Sequence, residues 1–109
     1  MNDSELYFPH EKLDCYQLAK DVAGWVADAT FRRGDADLGD QAVRSARSVV
    51  LNIAEGSGKT GRARRHSFTL ALGEAGEACS AIGMARLDGA QAQQDKLRRV
   101  GLMLRAMIR

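Results

Sequence analysis

Four groups of residues in this 109-residue chain have types and spacings that could do chemistry. The first, Gly56-Ser57-Gly58-Lys59-Thr60, ends like a phosphate-binding loop. Such a loop needs a glycine five residues before Gly58 and a strand leading in. Ile53 occupies that position and a helical pattern leads in, so the backbone donors that cradle phosphates are missing. The segment reads as a helix stop with a glycine hinge, and nucleotide hydrolysis is excluded. The second group is basic: Lys59, Arg62, Arg64, Arg65 and His66 cross a connector into the start of a helix. Cations there oppose the helix macrodipole. Phosphate contacts are the chemistry this cluster offers; the alternatives are a solvated loop or pairing with the acidic first helix of a neighbouring copy.

The third group is a polar seam, Gln41, Arg44, Ser48, Asn52 and Glu55, recurring at helical spacing opposite the apolar Ala42, Ala46, Val49, Val50 and Ile53. Asn52 sits mid-helix with Ser48 and Glu55 at i−4 and i+3. It reads either as an exposed polar residue or as a buried interhelical hydrogen bond that fixes register. The fourth group is Glu55, Glu74 and Glu77 with His10 and His66. A di-metal bundle wants a Glu-x-x-His pair on each of two helices, and neither histidine follows a glutamate at that spacing. Glu74 and Glu77 read as a surface pair or as partners of Arg44 and Arg47. No catalytic residue, metal or cofactor is expected, and the chain does not read as an enzyme.

The net charge of +2 hides an asymmetry. Residues 1–40 hold four Lys/Arg against nine Asp/Glu, whereas residues 41–109 hold twelve against five. Such a split fits a polyanion site or complementary helices in an oligomer. Cys15 and Cys79 lack ligand spacing and read as small core residues in a reducing compartment. There is no signal-peptide pattern, and no apolar run approaches the ~20 residues that span a bilayer. A soluble, cytoplasmic protein is expected.

The elements that must position these groups are helical, because no segment alternates with period two. The pattern predicts a single domain, an all-α, antiparallel up-down-up-down four-helix bundle with helices over roughly 10–33, 40–55, 62–87 and 90–108. Pro9 suits the start of the first helix. That helix is apolar over more than half its circumference: Leu18, Val22, Trp25 and Ala29 form a second stripe beside the one expected in the core. With Leu102, which interrupts the Arg98, Arg105 and Arg109 stripe of helix four, they are the candidate oligomer interface. Helix three carries Gly73, Gly76 and Gly83, each costing ~1 kcal/mol relative to Ala. Close approach of a neighbouring backbone is the expected reason.

Several segments together resemble a known family. They are Phe8-Pro9-His10-Glu11-Lys12-Leu13; Tyr16-Gln17-Leu18-Ala19; Gln41 with Arg44-Ser45-Ala46 and Ser48-Val49; Asn52-Ile53-Ala54-Glu55-Gly56; and Ala71-Leu72-Gly73 with Glu77. They look like the bacterial four-helix bundle proteins, whose members include proteins encoded in intervening sequences of 23S ribosomal RNA genes. The Asn-Ile-Ala-Glu-Gly segment is the most specific part, and the resemblance covers nearly the whole chain. It implies an antiparallel bundle that assembles as a ring-like homopentamer, similar in fold to the nucleic-acid-binding accessory protein of diversity-generating retroelements. The seam residues carry over as Gln41, Arg44, Ser48, Asn52 and Glu55. The chain departs from the family at Arg62-Ala63-Arg64-Arg65-His66, where an acidic and aromatic helix start is usual, and at Glu74, where a small hydroxyl is usual.

Two functions follow as expectations. One is a non-enzymatic homo-oligomer that binds RNA or DNA through Lys59, Arg62, Arg64 and Arg65, with Arg44, Arg47 and Arg98 extending the surface. The other is a scaffold subunit that meets another protein and has no nucleic-acid ligand.

Overall fold

The computed structural model describes residues 3–109. Two short 3-10 turns, Asp3–Leu6 and Pro9–Lys12, precede four helices: α1 (Asp14–Asp28), α2 (Ala36–Ser57), α3 (Gly61–Ala85) and α4 (Ala90–Ile108). There is no strand among the described residues. Each helix packs on its neighbours in sequence, and α1 closes the ring against α4, with α2 on α3 the most extensive pairing. The helices run antiparallel. Along α2, Gln41 meets Glu77 of α3, whereas Gly56, fifteen residues on, meets Ser67 and Phe68. Along α3, Leu72 meets Gly101 of α4, whereas Cys79 meets Gln94.

Helix one is shorter than its pattern predicts, at both ends. At the start, the Pro9–Lys12 turn is broken by Leu13 in extended conformation (φ −80°, ψ 130°). Its polar groups are taken up by side chains: the Phe8 N–H donates to Glu11 Oε1 (3.0 Å) and Gln17 Nε2 to the Glu11 carbonyl (3.0 Å). At the far end, Ala29 turns extended (φ −71°, ψ 143°). Phe31 then folds back on Gly39, its ring 3.0 Å from where a β-carbon at Gly39 would sit. Arg32 donates to the Ala85 carbonyl and, at 2.9 Å, to that of Arg86. Tertiary contacts thus override a pattern that would continue the helix.

Gly39, expected in the connector, is buried inside the first turns of α2, which begins at Ala36 and continues through Gly56 to Ser57. Helix three stops two residues early, where Arg86 adopts the left-handed conformation (φ 52°) that ends many helices. Gly89 (φ 86°) makes the expected turn into α4.

The core is built from Val22 and Val26 of α1, Val49 and Ile53 of α2, Phe68 and Ile82 of α3, and Val100 and Leu104 of α4, all essentially inaccessible. Burying each such side chain contributes about 1.5–3 kcal/mol. The rest of the buried α3 face is Ser67 and five alanines, Ala71, Ala75, Ala78, Ala81 and Ala85. Small residues let α2 and α3 approach closely, and Gly56 is one such point. A β-carbon there would lie 2.7 Å from the Phe68 ring and 3.2 Å from Ser67 Cβ.

Helix three's own glycines differ from expectation. Gly83 is crowded by the side chain of Gln94, not by a backbone, and Gly73 and Gly76 face open space in the protomer. Gly56→Ala is therefore expected to destabilise the bundle by about 1–3 kcal/mol through overpacking, outweighing its gain in helix propensity. Gly73→Ala should instead raise protomer stability by up to ~1 kcal/mol. Denaturant unfolding followed by circular dichroism, at one protein concentration, measures both.

Candidate functional site

The basic cluster lies at the end of the bundle where α2 turns into α3. Gly58 caps α2 by donating to the Glu55 carbonyl (3.2 Å), Lys59 and Thr60 bridge, and Gly61 (φ 58°) opens α3. Thr60 gives no side-chain hydrogen bond to the first N–H groups of α3. A helix start with open donors favours anions. The antiparallel path brings the last turn of α4, with Arg105 and Arg109, to this same end.

The cations of the cluster divide by what they touch. Lys59 is paired with Glu55 at 2.7 Å, one turn back on α2. Arg64 is half-buried: its guanidinium lies 4.7 Å from the Phe68 ring centroid and reaches the Gly56 carbonyl at 3.5 Å. It covers the close approach at Gly56 and belongs to the fold as much as to the surface. Arg62 and Arg65 are exposed and have no carboxylate partner among the described residues.

The remaining candidate cations are dispersed. Arg44 donates to Gln41 Oε1 (2.7 Å), and Gln41 Nε2 donates to Glu77 Oε2 (3.2 Å). The expected link between α2 arginines and α3 glutamates thus runs through Gln41 alone. No ion pair joins Glu74 or Glu77 to an arginine among the described residues. Arg47 is exposed without an ion-pair partner among the described residues, and Arg98 pairs with Asp95 at 2.7 Å on α4, across the bundle from α2.

The seam is real but mostly internal to one helix. Asn52 Nδ2 donates to the Ser48 carbonyl (2.9 Å) and to Ser48 Oγ (3.0 Å). No interhelical bond to Asn52 exists among the described residues. The bond that crosses between helices is the one from Gln41 to Glu77.

The second stripe of helix one needs one correction. Val22 is fully buried in the protomer's core and is not available to a second subunit. Leu18, Trp25 and Ala29 are half-buried against the core or the connectors, and the Trp25 indole lies beside the Gly89 turn. Leu102 is 65% exposed. Cys15 is buried, which pushes its thiol pKa up and keeps the group neutral, whereas Cys79 is partly accessible. His10 packs edge-on to Tyr16 (4.7 Å between centroids) and stacks with Phe8, so it orders the N-terminal segment.

Arg32, which closes the end of α3, escaped the sequence reading. It lies in a connector, where no periodicity marks a residue as structural. No helix among the described residues is long and apolar enough to cross a membrane.

The hydrogen bond from Lys59, with its charge, holds the Glu55 carboxyl below the usual carboxylate range, and His66 adds a smaller effect. A lowered folded-state pKa means that the pair's contribution is present at neutral pH. It is lost as pH falls through the carboxylate range. Carbon-detected NMR titration is expected to place Glu55 below the ordinary exposed glutamate, and Lys59→Met should return it upward.

Comparison with curated proteins gives no match. Residues 11–104, nearly the whole bundle with its seam and basic connector, match the family described as 23S rRNA-intervening sequence protein. The chain belongs to the 23S rRNA-intervening sequence protein family.

Proposed function

We propose that this protein is a non-enzymatic, homo-oligomeric helical bundle that binds RNA or DNA through the basic end formed by the α2–α3 connector and the start of α3. The supporting observation is the exposure of Arg62 and Arg65, without carboxylate partners among the described residues, beside an uncapped helix start. Guanidinium groups and open backbone donors are both phosphate ligands. Arg105 and Arg109 add charge at the same end, and Arg47 extends it along α2. Aromatic platforms do not interleave with these cations, so the reading is backbone contact without sequence-specific stacking.

A scaffold role is the second reading, and one observation favours it. Leu51 of α2 and Leu70 of α3 stand at the same height of the helix pair and are 68% and 47% exposed, with Met84 at 63% further along α3.

Fluorescence anisotropy with labelled single- and double-stranded oligonucleotides across a salt series tests the first reading. Affinity should fall steeply with salt, and Arg47→Ala, Arg62→Ala and Arg65→Ala together should flatten the log–log slope by about 2–3. Lys59→Ala, which removes a cation already paired with Glu55, should change it less. Absence of binding at low salt would remove the nucleic-acid reading and leave the scaffold one.

A further inference from the structure

Between α3 and α4 lies an open groove of about 450 Å³ with an apolar floor. Leu72, Cys79 and Leu97 line it, Gly76 and Gly101 keep it open, and Leu102 stands exposed on its edge between Arg98 and Arg105. Across the bundle is the opposite kind of surface. The turn at Pro9–Lys12 seats on α1 and α2, and ahead of it Leu6, Tyr7 and Phe8 are 66%, 56% and 70% exposed. The first eight residues carry Asp3 and Glu5 and no lysine or arginine.

We infer that the Glu5-Leu6-Tyr7-Phe8 segment of one copy docks in the α3–α4 groove of the next, apolar side chains on its floor and carboxylate toward Arg105, since Arg98 is already paired with Asp95. The inference rests on the homo-oligomeric reading above and names the contact that makes the oligomer. Two observations carry it. Segment and groove are complementary in both hydropathy and charge. The turn that carries the segment seats on α1 and α2, whereas the groove lies between α3 and α4 on the other side of the bundle.

A contact between unlike faces is head-to-tail, so it closes into a ring where the rotation between copies allows and otherwise propagates as a filament.

The full chain carrying Tyr7→Cys tests the inference, since Cys79 supplies a native thiol in the groove. Oxidation with copper phenanthroline should give covalent dimers and higher species on non-reducing gels, and Cys79→Ser in the same chain should abolish them. Native mass spectrometry of the unmodified chain is run alongside. Arg105→Glu should raise the concentration at which the assembly dissociates at least tenfold. An assembly that persists without Cys79-dependent cross-links would overturn the groove contact while sparing oligomerisation. A monomer at micromolar concentration would overturn both. A cross-link confined within one chain would show that the segment folds onto its own groove, and would also refute the exchange.

Discussion

The close approach of α2 to α3 at Gly56 is the constraint on which the bundle depends. With no β-carbon at that position, the Phe68 ring sits directly against the α2 backbone, and Arg64 closes over the ring from the solvent side. This contact fixes the end of the molecule where the connector turns. It also determines the height at which Gln41 finds Glu77 further along the pair. The alanine face of α3 extends the same closeness along the helix. The segment Asn52-Ile53-Ala54-Glu55-Gly56 then has an explanation for four of its residues. Asn52 ties back to Ser48 and Ile53 fills the core. Glu55 holds Lys59, and Gly56 admits Phe68.

Fold and surface are coupled at the basic end. Arg64 belongs to the packing and Lys59 to an ion pair, while Arg62 and Arg65 extend from a helix start that these two help to hold. Exposed ion pairs such as Lys59–Glu55 contribute little stability, so the pair's effect is mainly positional: it keeps the ammonium beside α2. Charge that looks uniform in sequence is thus divided between cations committed to the protein and cations without an ion-pair partner among the described residues.

How much was legible in the sequence depends on which physics set each feature. The four helices and the core face of α2 follow from 3.6-residue periodicity, which is local. The termini of α1 do not, because Ala29 to Arg33 look helical until Phe31 finds Gly39 and Arg32 finds the end of α3, contacts set by tertiary structure. Val22 falls on a stripe that helical spacing alone assigns outward, yet it is buried where α1 meets its neighbours. Gly73, Gly76 and Gly83 look equivalent as sequence, but only Gly83 is crowded within the protomer. The basic cluster was visible as composition. Its division into held and unheld cations was not, since Glu55 and Phe68 reach it only through the turn.

The alanines of α3 have a further consequence. Alanine has no rotamer to select, so these positions of the α2–α3 seam close without freezing side-chain torsions, and that cost falls on larger neighbours such as Val49, Ile53 and Phe68. The groups along the rim of α2, from Gln41 to Glu55, are therefore spaced by helix rise. A surface held this way keeps its spacing when individual buried side chains fluctuate. That is a mechanical property, closer to a ruler than to a pocket.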